Sequence, residues 1–209
     1  MDYNDLVSYI SDYAARSDTA TVNNVPLFIE FSTAMFNHGM GEQFAPLRVR
    51  EMLATVPLTP NGDGEVTLPT DYLSFRAVTS DASISRNLTG ITPDFSTQNY
   101  AGQGAGLSNN FTLVGNVLKG YPQSSSNVTL LYYQKIPDIS GFNLTNWLLT
   151  KNPSAYLHAG LLQLAIYTKD DNLFNRSAAL VQSIVDGLRA EDVLAQYSRG
   201  GATMGMVTP

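Results

Sequence analysis

The chain contains 209 residues, a length typical of one domain or of one domain that carries an insertion. Hydrophobic residues make up 44% of it, enough for a substantial core, but charged residues make up only 14%, against roughly 25% in an average soluble domain. The net charge of −6 excludes the basic surface of a sequence-independent nucleic-acid binder, and the absence of Cys excludes disulfides, thiolate zinc sites and cysteine nucleophiles.

Two helices are predicted in the N-terminal part of the chain. Apolar residues recur every three or four positions between residues 3 and 16, which indicates a short helix with one apolar side. A second helix is expected to begin near Pro26, with Asn23 or Asn24 as its cap, because proline is favoured in the first helical turn. Gly39 should end this helix, since glycine readily adopts the positive φ of a helix C-cap.

A β-rich insertion is predicted in the middle of the chain, at residues 57–140. It follows residues 45–58, which predict either a third short helix or a helix-to-strand transition. The dipeptides Asn61-Gly62 and Asp63-Gly64 are typical of a hairpin-type turn, and residues 72–79 alternate in polarity as a half-buried strand does. Further short strands are expected at residues 111–114, 117–119 and 128–135, with a two-residue turn at Gly115-Asn116.

The low charge of the chain is concentrated in this insertion. Between residues 82 and 134 the only charged side chains are Arg86, Asp94 and Lys119. A surface with few charges has a small desolvation cost when another subunit covers it. We therefore expect the insertion to be buried in an assembly and to behave poorly in an isolated monomer.

A helical hairpin is predicted at the C-terminal end. Its first helix begins at Pro153 with Asn152 as cap, and it is apolar almost all round, so it must be buried by its own fold or by neighbouring subunits. A break at residues 168–171 follows, with Asp170 and Asp171 as the cap of the last helix. That helix ends near Tyr197 and carries a coiled-coil type of packing seam at Phe174, Ala178, Val181, Val185 and Leu188. Residues 198–209 have no periodicity and are expected to form a tail.

No motif in the chain indicates a catalytic, cofactor or metal site. The only histidines are His38, at a predicted helix end, and His158, and neither has the spacing of a ligand set. The segment around Asp63 resembles half of a calcium loop, but threonines occupy both positions where acidic ligands are needed. The glycines between Gly102 and Gly106 lack the flanking strand and helix of a dinucleotide fingerprint, and no nucleophile elbow is present. The sequence therefore predicts a protein without a cofactor that is not an enzyme.

An ordered set of short motifs carries a resemblance to a known family. The set resembles the adaptor, or head-completion, proteins of the head–tail connector in tailed bacteriophages, and the resemblance covers residues 1 to about 197. The motifs are residues 25–29 (VPLFI), 68–73 (LPTDYL), 130–137 (LLYYQKIP), 145–149 (TNWLL) and 153–157 (PSAYL), which lead to 169–171 (KDD).

The resemblance implies an α+β fold in which a helical bundle carries the β-rich insertion. The bundle would comprise residues 1–56 and 141–197, the insertion residues 57–140 and the tail residues 198–209. It also implies a structural protein of the virion, assembled in the host cytoplasm as a homo-oligomeric ring of twelve copies. This ring would join the portal protein to a tail or nozzle protein and extend the channel through which DNA passes without sequence-specific binding. No membrane partner is implied, and the first residues lack a signal peptide.

Two groups of residues are predicted to make the intermolecular contacts of such a ring. Portal docking is assigned to the end of the last helix and the tail, at Tyr197, Arg199, Met204 and Met206. Contact with a neighbouring subunit or with the phage tail is assigned to Tyr100, Gly102, Gly104 and Phe111. Two alternatives remain open: another virion ring component, such as a tail-completion or nozzle protein, and an extracellular β-rich binding module.

Overall fold

The computed structural model describes residues 1–81 and 85–199, with side chains through residue 195. Within these residues the chain has six α-helices and two four-stranded sheets, which confirms the α+β class. It divides into two compact units, one formed by residues 1–51 and the chain from residue 136 onward, the other by residues 52–135.

The helices and strands have the following bounds. The helices are α1 (Tyr3–Tyr13), α2 (Thr19–His38), α3 (Pro93–Tyr100), α4 (Trp147–Lys151), α5 (Pro153–Thr168) and α6 (Asp171–Arg199), with a 3₁₀ turn at Arg50–Met52. The strands are β1 (Leu53–Leu58), β2 (Glu65–Thr67), β3 (Tyr72–Ser80), β4 (Arg86–Asn87), β5 (Thr89–Gly90), β6 (Asn110–Val114), β7 (Val117–Tyr121) and β8 (Val128–Gln134).

The start of α2 corrects the sequence prediction. The helix begins at Thr19, where the Asp18 carboxylate accepts a hydrogen bond of 2.9 Å from the backbone N–H of Thr21. This acidic N-cap outweighs the signal of Pro26, which lies inside the helix and leaves one backbone carbonyl without its usual donor. The end of α2 is as predicted, because Gly39 has φ of 82°. The first helix, α1, ends at Tyr13 rather than at residue 16, and Ala15 follows with φ of 49°.

Helix α5 is the centre of the helical unit, and it packs against α1, α2, α4 and α6. The ring of Tyr156 meets that of Phe36 edge to face with centroids 5.5 Å apart, and Gly160 lets Ile10 of α1 approach closely. Its own fold therefore buries nearly all the apolar residues of this helix as far as Ala165, while His158 and Gln163 are half-buried. Of the two explanations left open by its apolar sequence, burial within its own fold accounts for these residues. Each large apolar side chain buried here contributes about 1.5–3 kcal/mol.

The C-terminal elements agree largely with prediction. In α6, Ala178, Val181, Val185 and Leu188 are buried as predicted, and α6 packs against α5. The Asp170 carboxylate accepts from the backbone N–H of Leu173, which confirms its role as a cap.

Two details at the start of α5 differ from prediction. The Asn152 side chain makes no capping hydrogen bond and accepts instead from the Ser154 hydroxyl. Helix α4 was not predicted, although Asn146 caps it by accepting from Leu149 N–H.

The strand-rich unit contains two sheets, with strand orders β1-β8-β3-β4 and β2-β7-β6-β5. Residues 45–58 thus form a 3₁₀ turn and then a strand, the second of the two alternatives. A tight turn does lie at Asn61–Gly64, but β1 and β2 do not pair across it, since β1 pairs with β8 and β2 with β7. The predicted turn is therefore present, but it does not connect the two strands of a hairpin. The strands on either side of it pair with strands from distant parts of the chain. The core of this unit comprises Leu68, Val78, Leu88, Phe111, Leu118, Val128, Leu130 and Tyr132.

Strand β3 shows why simple alternation was an incomplete guide. Its pairing with β8 shifts register twice, between Tyr72 and Ser74 and between Phe75 and Ala77. Leu130 and Tyr132 share one face of β8, so their partners Val78 and Phe75 lie on one face of β3 although they are three residues apart. Val78 is buried there, whereas Phe75 packs on Phe111 and is 44% exposed. The hairpin of β6 and β7 is as predicted, with Gly115 at φ of 59° in its turn.

Candidate interaction surfaces

The strand-rich unit places the predicted contact residues in different environments. Gly102 and Gly104 lie in an exposed loop after α3 with no other atoms near their Cα hydrogens. Tyr100, at the end of α3, is half-buried and its ring lies 5.2 Å from that of Tyr121. Phe111 is only 1% exposed and packs edge to face on Phe75, so its side chain has no free surface with which to contact another subunit. Helix α3 itself was not predicted, although the Thr92 cap and Pro93 are typical helix-start signals.

A shallow groove lies beside these residues, between α3 and the β6–β7 hairpin. It has a volume of about 330 Å³ and is lined by both polar and apolar side chains, with the Lys119 and Glu65 ion pair at 2.7 Å on one side. The hydrogen bond to Glu65 raises the pKa of Lys119. The buried Thr112 hydroxyl at the groove has no hydrogen-bond partner, so a polar group that reached it would complete its bonding.

The predicted portal-docking residues lie at or beyond the end of the described chain. Tyr197 and Arg199 belong to the last turns of α6, but their side chains fall outside the described part. Met204 and Met206 lie outside the described residues altogether. Their roles stay predictions.

A cluster of charged side chains holds the C-terminal part of α6 in place. The Lys151 ammonium, at the end of α4, lies 2.6 Å from Glu51 and 2.9 Å from Glu191 of α6. The neighbouring Asp192 is buried and accepts from the backbone N–H of Arg50 at 2.9 Å. We call these five residues the α6 clamp.

Burial and pairing act in opposite directions on the pKa values of the clamp. Burial raises the pKa of Glu51, but the hydrogen bonds from Lys151 and the backbone and the charges of Lys151 and Arg50 together outweigh burial and leave this pKa below its ordinary value. Burial lowers the pKa of Lys151, and its bonds to Glu51 and Glu191 more than compensate, so the net shift is upward. In the sequence, Glu191 and Asp192 are recognisable only as adjacent acidic residues. Because successive residues of a helix are rotated by about 100°, their side chains point in different directions and meet different partners.

Between Leu180 and Leu194, the side of α6 opposite its buried seam is exposed and uncharged. It comprises Leu180, Ser183, Gly187, Ala190 and Leu194, and we call it the α6 outer face. Leu180 is 45% exposed and Leu194 is 69% exposed. A surface helix normally turns charged residues toward water, so a face of small and apolar side chains is typical of a helix that packs on two sides.

The exposed side of α2 is also mainly apolar. Leu27, Phe31 and Ala34 follow one another at helical spacing and are all exposed, and Glu30 is the only acidic residue in α2. We call these four residues the α2 outer face. Beside it, Leu27 and Glu30 help to line a groove of about 400 Å³, and the nearby loop carries Phe142 with a fully exposed ring.

Two further findings concern metals and membranes. Among the described residues no group of three or more His, Asp or Glu side chains is placed to hold a metal ion. His158 is half-buried in α5, and burial lowers its pKa. In the part of the chain that the structure describes, no helix is long and apolar enough to cross a membrane.

Comparison with known proteins supplies the family. A model of the family described as SU10 adaptor protein matches residues 1–205, almost the whole chain. A search of the curated proteins finds no match.

Proposed function

The chain belongs to the SU10 adaptor protein family, a family of phage adaptor proteins, and on this basis we propose that it forms a ring between the portal and the tail. In this proposal twelve copies surround the channel through which DNA passes. The family match over residues 1–205 is the observation that carries the proposal. Family membership makes the protein a phage structural protein and a virion component, whose partners are other components of the particle.

The arrangement we propose for the subunit is a helical bundle that carries a β-rich insertion. The helices α1, α2, α4, α5 and α6 belong to one compact unit, and all eight strands belong to the other, which supports this division. The bundle would supply the contacts of the ring, and the insertion would face the tail or the next subunit. Exposed positions in the loop that contains Gly102 and Gly104 suit a contact of this kind.

Portal docking is assigned to the end of α6 and the residues that follow it. At 1.5 Å per residue, α6 with 29 residues is about 20 Å longer than α5 with 16. The α6 clamp holds the longer helix near Glu191, so the direction of its last turns is set by the helical unit. The unbranched side chains of Met204 and Met206 are suited to an adaptable contact surface.

Passage of DNA through the ring is supported by the charge of the chain. With 12 Lys and Arg against 18 Asp and Glu, the protein offers few contacts to phosphate groups. Weak attraction to phosphates favours sliding over binding, because nonspecific affinity for DNA comes mainly from counterion release at cationic side chains.

Deletion of residues 198–209 tests the portal assignment. We expect the truncated chain to form the same ring as the full chain and to lose binding to the portal of the same phage, both measured by mass photometry. Unchanged portal binding would refute the assignment of residues 198–209 to portal docking. A full-length chain that stays monomeric both with and without portal would refute the ring itself.

A further inference from the structure

Two exposed helix faces of the helical unit point away from its central helix. Helix α5 packs against both α2 and α6, whereas α2 and α6 have little contact with each other in the described residues. The α2 outer face and the α6 outer face each lie opposite the side of their helix that is buried. Both faces belong to one compact unit, so their separation is set by the packing of α5 between the two helices.

The α2 outer face presents a large apolar side chain to solvent. Phe31 is 47% exposed, and Leu27 stands one helical turn before it. Burial of an aromatic ring at a contact contributes much of the binding energy in many interfaces. We call the exposed side chains of Leu27 and Phe31 the knob.

The side of α6 that adjoins its outer face presents a concave site. A groove of about 370 Å³ is lined by Gln43, Phe44, Asn175, Ala178, Ala179 and Gln182. Its apolar lining consists of Ala178 and Ala179 on α6 and the buried side chain of Phe44. The groove has room for a phenyl ring, and its lining has no charged side chain that such a ring would have to desolvate.

One charge stands beside the knob and an opposite charge stands beside the groove. Glu30 precedes Phe31 on the α2 outer face, and Arg176 lies one helical turn before Ala179, which lines the groove. Both side chains are exposed, and neither makes an ion pair or a side-chain hydrogen bond within the part of the chain that the structure describes. An exposed aromatic ring and a groove, each with one of two opposite charges nearby, thus lie on two different faces of the same molecule.

We propose that a second copy of this chain docks here, with Phe31 of one copy in the α6 groove of the next and Glu30 beside its Arg176. Because the two faces differ, the contact is head to tail, and such contacts generate rings when the rotation closes. This inference rests on the proposed ring and identifies the surface through which its subunits meet. The uncharged α6 outer face would be covered in the same contact.

Charge reversal of the two residues tests the contact. In Glu30→Arg and in Arg176→Glu, two like charges would face each other across every contact, and we expect the concentration needed for assembly to rise at least about tenfold. The double variant restores an opposite pair with exchanged signs, so its assembly should return toward that of the natural chain. Mass photometry over a concentration series, with and without portal, gives the assembly midpoint.

Matched controls separate a local contact from a change in net charge. Asp12→Arg and Arg16→Glu reverse exposed charges near the end of α1, and both should assemble as the natural chain does. Circular dichroism checks that each variant folds, which we expect because all four side chains are exposed.

Each alternative outcome contradicts a different claim. Single variants that assemble normally, or a double variant as defective as the singles, would overturn the proposed contact while leaving the ring intact. Loss of portal binding with normal self-assembly would assign the face to the portal instead of a second copy. If the natural chain is monomeric in all conditions, the ring fails first and the contact fails with it.

Discussion

The buried side chain of Asn37 should be essential for the stability of the helical unit. Its amide donates to the carbonyl of Ile136 at 3.2 Å, and its oxygen accepts from the N–H of Ile136 at 2.8 Å. Both residues are almost fully buried, and Ile136 is where the chain returns to this unit from the strands. The single amide thus satisfies both backbone groups of a residue that belongs to no helix or strand.

The substitution Asn37→Leu has a similar volume and removes both hydrogen bonds. It leaves one N–H and one C=O of Ile136 unpaired in the interior, at about 1–3 kcal/mol each. We therefore expect the free energy of unfolding to fall by about 2–6 kcal/mol, a large part of the 5–15 kcal/mol typical of a domain. Urea unfolding followed by the fluorescence of Trp147, the only tryptophan, measures this change. The protein concentration must be constant, because assembly raises apparent stability.

Two further variants test the reason for this loss. Asn37→Asp keeps the acceptor for Ile136 N–H and replaces the donor with a carboxylate that faces a carbonyl. Burial and this oxygen raise the pKa of the new carboxyl in the folded state, so the defect should be full at neutral pH and shrink as pH falls and the acid becomes a donor. Asn23→Leu, on the exposed side of α2, should change stability by less than about 0.5 kcal/mol. If the free energy of unfolding of Asn37→Leu also lies within about 0.5 kcal/mol of that of the natural chain, the two hydrogen bonds to Ile136 do not stabilise the unit as argued.

Three other predictions follow from single contacts. Gly39→Ala should lower the free energy of unfolding by at least about 1–3 kcal/mol, because φ is 82° and the new Cβ would lie 2.6 Å from the Phe44 carbonyl oxygen; equal stability in urea would contradict this. Burial and the Asp71 hydrogen bond raise the pKa of Tyr132 to about 12, so its contribution to stability is full below pH 10 and lost as pH rises toward 12. In the ultraviolet titration of the tyrosines, Tyr132→Phe should lack the ionisation near pH 12, and a curve identical to that of the natural chain would refute this assignment. Burial lowers the pKa of His158, so the contribution of the neutral imidazole to the free energy of unfolding should be full above about pH 6.5 and be lost on acidification. In His158→Leu the free energy of unfolding should fall less between neutral and acidic pH, and an equal fall would contradict this role of His158.

Much of the local structure could be predicted from the sequence because it depends on residues close together in the chain. The apolar repeat of α6, the cap at Asp170 and the hairpin turn at Gly115 involve neighbours within a few positions, and all three are present. Competing local signals caused the errors in this class. Asp18 started α2 well before Pro26, and the short helices α3 and α4 were missed although Thr92 and Asn146 cap them.

Candidate contact residues were harder to predict, because exposure depends on the whole fold. Phe111 looked like a contact residue in a strand of low charge, yet the sheet places it in the core. Phe31 is a large apolar residue in a helix, yet it is 47% exposed because α5 covers the opposite side of α2. The family was accessible from ordered motifs, whereas the faces that a partner could use were not.

The sequence by itself determined the α+β class, most helices and strands, and the family, since these follow from periodicity, turn chemistry and motif order. Only the tertiary structure decided which strands pair, which acids meet Lys151 and which amide satisfies Ile136. The residues in these contacts lie far apart in the chain, with Glu51 and Lys151 separated by 100 positions. No local pattern encodes such a pair, because its energy arises only after the rest of the chain has brought the two groups together.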